Sequence, residues 1–409
     1  MIKKSSSNYR WYILFLSMLA YAVIAGSARM CMPVLFKEIG DNLSLDVVAL
    51  GTVWGMDPLA GVFVGLPSGL LADRFGTKRT IAFLCIMAGF LGALRGFSTN
   101  FLSLAATMFL FGLMSAALPS VVPKVTAEWF SGKYLGIANA LLNVLWAIGS
   151  MIATQFSATV FSPALGGWRN VMFLYGAPAL LLGLLWIFTG REPTSKPKGF
   201  EPKVAKVPFR EAILHVMRIK EVWIVGMVTM MLWGASMGYI GYLPLYLRNI
   251  GWEPAAADSS MTVLSFMMML GSVPMVLISD KLHTRKWVLM ACIASVVLFL
   301  ALTPFVNTTW IWILLIVSSF LRAGTNSLFN VILLENPQVG ATYGGTAIGM
   351  ANTISMIGAF LAPPIGNSLE QYGVGMPFLF WAFLAVVSLG IMFLIKEKKK
   401  KKPEFIYPH

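Results

Sequence analysis

Residues 72–79 read ADRFGTKR, and residues 279–286 read SDKLHTRK. The second stretch keeps the acid, a bulky apolar residue, the threonine and the two closing cations of the first, 207 positions later. Glu128 and Glu335 are separated by the same 207. Further out, YLGIANALLN (134–143) aligns with YGGTAIGMAN (343–352) at an offset of 209, and MPVLFKEIG (32–40) with LPLYLRNIG (243–251) at 211. Matches that keep one order describe a chain built from two related halves.

The halves are made for lipid. Of 409 residues, 57% are hydrophobic and 12% charged, with a mean hydropathy of +0.76. A soluble domain carries about 25% charged residues, so soluble-enzyme, disordered and nucleic-acid-binding readings are excluded despite a net charge of +14. A bilayer core of ~30 Å takes about 20 apolar residues per helix. Runs of that kind fall at 11–36, 47–71, 80–97, 101–125, 135–160 and 170–190. After a polar stretch they resume at 222–247, 259–279, 287–306, 310–334, 343–367 and 376–395. The first run is too long for a removable signal peptide. The expected fold is an all-α membrane protein of 12 transmembrane helices, in two pseudo-twofold six-helix bundles around a central cavity.

The expected domains are bundles at 1–190 and 222–395, a cytoplasmic linker at 191–221 and a polybasic tail at 396–409. Within the linker, FREAILHVMRI reads as a short amphipathic helix lying on the membrane surface. With the N-terminus inside, 25 of 31 basic residues lie on the inner side, which places both termini in the cytoplasm of a plasma (inner) membrane protein. Lys37, Arg95, Arg169 and Arg248 fall outside, and the tail is expected to touch anionic lipids. Cys31, Cys85 and Cys292 sit in apolar runs with no CxxC pair, and the histidines lie elsewhere. Neither a disulfide framework, a metal site nor a cofactor is expected.

GLLADRFGTKR (69–79) fits the pattern G-x-x-x-D-R-x-G-x-K/R-K/R at every fixed position and lies between the second and third runs. In this motif, in AEWFSGKYLGIANA (127–140) and in GGWR (166–169), the chain resembles the major facilitator superfamily over its whole length. Its general look is similar to cyanate-permease-like and monocarboxylate- or oxalate-type carriers. The Arg that proton-coupled members often carry in helix 4, the G-P-x-x-G-G pattern of drug antiporters, the nitrate signature and the helix-8 Arg of monocarboxylate carriers are all missing. The resemblance implies a monomeric transporter, not an enzyme, whose helices 1, 4, 7 and 10 line the cavity.

Arg29, Asp57 and Arg322 stand inside apolar runs. Each charge there costs about 2.5–3.5 kcal/mol even on the lenient insertion scale and therefore needs a partner, water or a function. Arg322 shares a helix face with Ser319, Asn326 and Asn330, a polar stripe suited to a wet cavity. Arg29 is read as a second anion clamp or a structural ion-pair partner, and Asp57 as its neutraliser or as the proton-coupling carboxylate. Two guanidiniums against one acid ask for an anion, because Arg stays charged and presents a planar donor fork. Trp233, Ser236, Tyr239, Asn143, Trp146, Asn352 and Ser355 are the expected pocket residues.

In the inner loops, Asp73, Arg74 and Arg79 with Glu128, mirrored by Asp280, Lys281 and Glu335, are the expected gate; the resemblance implies that such residues stabilise the outward-open state. With no ATP-binding loop, the drive is a gradient. The expected function is secondary active transport of a small organic anion, carboxylate-type favoured, by alternating access with protons as the candidate coupling ion. The alternatives are export of amphipathic or lipid-like compounds, to which the Met-rich SFMMML stretch would be suited, and a non-transporting membrane sensor.

Overall fold

The computed structural model describes residues 5–65, 67–192, 208–282 and 284–395, and the elements along them are helices. The tail at 396–409 and the linker residues 193–207 lie outside the described residues. Among the described residues, ten helices are long and apolar enough to cross a bilayer: α1 (Tyr9–Leu43), α2 (Val47–Val64), α3 (Thr77–Phe97), α4 (Phe101–Trp129), α5 (Tyr134–Leu165), α6 (Trp168–Thr189), α7 (Lys220–Asn249), α8 (Pro254–Lys281), α10 (Thr308–Leu334) and α11 (Thr342–Tyr372). Two shorter apolar helices, α9 (Lys286–Leu302) and α12 (Met376–Met392), complete the series. The all-helical architecture read from the apolar runs is the one observed.

Side-chain caps fix several helix starts. Asp46 accepts from the Ala49 amide at 2.7 Å at the start of α2, and Asn100 with Ser103 forms a capping box at α4. The preceding turn closes with Ser44 in the left-handed region, φ 53°. At one end of the bundle lie the loops that carry 72–79 and 279–286, here named the motif face. The short helix Phe209–Val216 packs there on α11 through buried Ala212 and Val216, with His215 stacked on Tyr343 at 4.1 Å. The Ser44 turn lies at the opposite, far face.

Packing repeats between the halves. A Cβ on Gly149 of α5 would run into the Ala22 backbone of α1, and one on Gly358 of α11 into the Met230 backbone of α7. These glycines stand 209 apart, the offset of the flanking repeat. Close approach of backbones is how helices gain van der Waals contact in lipid, where no hydrophobic force drives them together.

The breaks repeat as well. Helix α4 is interrupted at residues 116–117, directly after Ser115, and α10 at 323–324, directly after Arg322. Ser115 and Arg322 are 207 positions apart, the offset of the loop motif. Helix α1 has a π-helical segment, Tyr21–Ala28, immediately before Arg29, whereas α7 runs unbroken. An interruption of this type frees backbone groups and redirects a side chain, and is frequent at functional sites.

Candidate substrate site

In the C-terminal half, Arg322 closes the first segment of α10. Thr325 Oγ1 donates to its carbonyl at 2.7 Å and steadies the break. The negative end of that segment's dipole favours a cation at this position. The side chain is buried, at 8% exposure, and its Nη1 donates to Ser236 Oγ on α7 at 3.2 Å. Ser236 in turn donates to the Leu232 carbonyl at 2.8 Å. Arg322 Nη2 reaches Met268 Sδ on α8 at 3.1 Å, and the Tyr239 hydroxyl lies against the same guanidinium. Among the described residues no carboxylate pairs with Arg322. One turn on, Asn326 accepts from Trp233 Nε1 at 3.2 Å.

The N-terminal half places a neutralised cluster at the related position. Arg29 Nη2 and Asp57 Oδ2 form an ion pair at 2.6 Å, with side chains 23% and 3% exposed. Ser115 Oγ donates to the other carboxylate oxygen at 2.7 Å. Helices α2 and α4 touch here so closely that a Cβ on Gly112 would lie 2.8 Å from the Asp57 Cα. The π-helical segment of α1 is pinned from α3: fully buried Arg95 donates from Nη2 to the Ala28 carbonyl at 2.8 Å and from Nε to the Gly92 carbonyl at 3.0 Å. Its guanidinium lies 4.2 Å from the Phe111 ring centroid.

Between the halves, Trp54 of α2 is fully buried and donates to the Met237 carbonyl of α7 at 2.9 Å. A Cβ on Gly241 would lie 2.6 Å from the Trp54 ring. Asn367 of α11 donates to the Val47 carbonyl at 2.6 Å, and Ser150–Ser265 and Thr154–Thr262 bridge α5 to α8 at 3.0 Å each. Above this layer a cleft of about 580 Å³ opens at the far face, lined by Lys37, Asp41, Asp46, Asn249 and Glu370 among others. Beneath it, beside Trp54, Gly241 and Tyr242, the free space shrinks to about 10 Å³, which is room for about one water. At the Trp54 layer α2 and α7 are in direct contact.

The other expected site residues stand on α5 (Asn143, Trp146) and α11 (Asn352, Ser355). Trp146 donates to the Ala25 carbonyl in the π-helical segment at 3.2 Å, and Ser355 donates to the Asn352 carbonyl at 2.7 Å. Asn143 and Asn352, 209 positions apart, are both exposed. On the motif face, Glu128 accepts from Thr77 at 2.7 Å, while Arg285 pairs with Asp280 at 2.6 Å and reaches Glu335 at 3.9 Å. The Thr77–Glu128 and Arg285–Glu335 contacts each join a motif loop to the end of the fourth helix of its own half. Arg74, Arg79 and Lys281 are exposed, Arg74 over the Phe75 ring, and the Asp73 side chain lies outside the described residues.

Sequence reasoning missed four participants: Ser115, Arg95, Arg285 and Met268. Arg95 and Arg248 read as outer-side cations in the sequence; Arg95 is fully buried, and Arg248 holds fully buried Asp258 at 2.6 Å. The signal for Ser115 was present, since it aligns with Arg322 at the motif's own offset.

The sequence profile of the Major Facilitator Superfamily matches residues 17–363. The probable galactarate/D-glucarate transporter GudP of Bacillus subtilis (strain 168) is 32% identical over 213 residues, 49% of this chain and 45% of that protein. The chain thus spans about half the length of that relative. The cis,cis-muconate transport protein of Acinetobacter baylyi is 23% identical over 413 residues, 97% of each chain. Among solved structures, a bacterial homolog to the human lysosomal transporter Spinster superposes with a TM-score of 0.76 at 18% identity, covering 94% of this chain and 96% of that one.

Proposed function

This chain belongs to the Major Facilitator Superfamily, and from that premise we propose that it is a secondary carrier of a small organic anion, held at Arg322. The observation that carries the proposal is a guanidinium at 8% exposure with no carboxylate partner among the described residues and, unlike Arg95, with a bare Nε and an Nη2 resting only on sulfur. Leaving a charge unpaired in a membrane interior is costly, and a ligand of opposite charge removes that cost. A planar carboxylate or sulfonate matches the guanidinium fork. The names of the relatives support the same chemistry, since galactarate, D-glucarate and cis,cis-muconate are all carboxylates.

The charge balance supplies a cycle. Arg29 and Asp57 cancel and Arg95 is held by two carbonyls, which leaves Arg322 as the cation that receives the anion: a monoanion neutralises it, and a dicarboxylate does so together with one proton on Asp57. A neutral interior can reorient between the two sides of the bilayer at lower cost. With the motif face cytoplasmic, the far-face cleft is the outer vestibule and the Trp54 layer is the closed outer gate. Residues 236–241 of α7 connect the two, because Ser236 and Tyr239 meet Arg322 while Met237 and Gly241 meet Trp54. The proton, where one is used, is taken by Asp57, whose neutralisation frees Arg29 as a second clamp. The gate residues of the motif loops, Asp73, Arg74, Arg79 and Glu128 with Asp280, Lys281 and Glu335, hold the cytoplasmic side in the opposite state.

Reconstituted in liposomes, Arg322→Ala is expected to lose uptake of glucarate or muconate by more than a hundredfold while still eluting as a folded monomer. Transport by that variant at the wild-type rate would overturn the proposal.

A further inference from the structure

Arg322 has three nitrogens and treats them differently. Nη1 rests on a hydroxyl that is itself anchored: Ser236 accepts from it at 3.2 Å and donates to the Leu232 carbonyl. Nη2 rests on the Met268 thioether at 3.1 Å. Nε is buried and has no hydrogen-bond partner among the described residues. The Nε–Nη2 edge is the side of a guanidinium that receives a two-oxygen anion with parallel bonds. Here one of its donors is bare and the other touches sulfur, a weak acceptor.

One turn earlier on the same helix face, Ser319 is 1% exposed and its hydroxyl also has no partner. Two unsatisfied buried polar side chains on adjacent turns are unusual in a folded protein, and both belong to the face that holds the cation. Met268 is only partly buried. Its unbranched side chain has three rotatable bonds and repacks readily.

We infer that Met268 is a displaceable stand-in acceptor on Arg322, which swings away to open the Nε–Nη2 edge side-on to a planar two-oxygen anion. The inference rests on the anion reading of Arg322 and deepens it. Sulfur keeps the fork oriented without satisfying it, so an anion gains both edge donors on arrival. A stronger acceptor at position 268 would hold the fork closed. Met268 of the Met-rich stretch of α8 then belongs to the anion site.

The test uses the purified full-length protein, with binding followed by thermal shift and calorimetry. The probes are glucarate, cis,cis-muconate, sulfoacetate and inorganic phosphate. Met268→Leu keeps the volume and removes the acceptor; Met268→Gln supplies an amide oxygen that does not leave. For the tightest-binding carboxylate, Met268→Leu is expected to stay within threefold of wild type and Met268→Gln to bind at least tenfold more weakly. In an Arg322→Lys background, where no fork exists, the glutamine is expected to change binding by less than threefold. Equal affinities for the two single variants, or a glutamine effect that persists beside lysine, would overturn the inference and leave the anion site standing. If none of the probes binds the wild type, the anion reading falls and this inference falls with it.

Discussion

Where the fourth helix of each half is interrupted, the N-terminal half presents Ser115 and the C-terminal half presents Arg322, 207 positions later. The backbone device is the same and the chemistry is opposite. Ser115 completes a cluster that is already neutral, in which Asp57 takes Arg29 on one oxygen and the serine hydroxyl on the other. Arg322 brings a charge to a cluster of a serine, a tyrosine and a thioether, none of which can cancel it. Apart from Arg95, which is held by two carbonyls and a ring, one half therefore pairs its cluster cation with an acid and the other does not. The two halves share the backbone geometry, and only a few side chains set the difference in charge.

The strongest way to break this contrast is to balance the second half. Met268→Glu would set a carboxylate where the thioether now meets Arg322, reproducing the ion pair of the first half. Uptake in liposomes is expected to fall by more than a hundredfold, as deep as for Arg322→Ala. The two variants should differ in stability. The glutamate variant keeps its cation paired, so its thermal midpoint is expected at or above wild type. Uptake that survives in Met268→Glu would mean that the substrate does not need the guanidinium.

How much of this was legible in sequence follows from what each feature costs. Apolar runs and a repeated loop motif are local properties, so the twelve-helix layout could be read directly. Arg29, Asp57 and Arg322 were legible because a charge within an apolar run is expensive wherever it ends up. Ser115 was not, because a serine hydroxyl can satisfy itself on a carbonyl of its own helix and so carries no obligation to a partner. Arg95 looked like an ordinary cation near a helix end, free to snorkel. Its burial against the Ala28 carbonyl is a consequence of tertiary packing by α1 and α4. The breaks in α4 and α10 do have a local signal: Pro119 lacks the amide that would bond the Ser115 carbonyl, and Gly324 weakens the helix at its own break.

A milder perturbation unbalances the first half instead. Asp57→Asn removes the acid and leaves Arg29 as a second unpaired cation, so that both halves resemble the C-terminal one. Anion exchange without a gradient is expected to stay within about threefold of wild type. Accumulation driven by an inward proton gradient is expected to drop to the level seen with no gradient. Parallel counterflow and pH-jump assays on the same liposomes check both. Undiminished accumulation would remove Asp57 from the coupling and reduce the pair to a structural one.

The smallest effect should come from Ser115→Ala, which leaves both charges of the first half in place and removes a single hydrogen bond to Asp57. Hydrogen bonds to charged groups contribute about 1.5–3 kcal/mol in soluble proteins. Between membrane helices the measured average is nearer 0.6 kcal/mol. The lower figure suits this site, because Asp57 keeps Arg29 at 2.6 Å and so remains satisfied when the hydroxyl is gone. A fall of a few degrees or less in thermal midpoint, with anion affinity unchanged within threefold, is the expected outcome. A loss as deep as that of Arg322→Ala would show that the two interrupted helices act as one unit, and the division into a balanced and an unbalanced half would have to be abandoned.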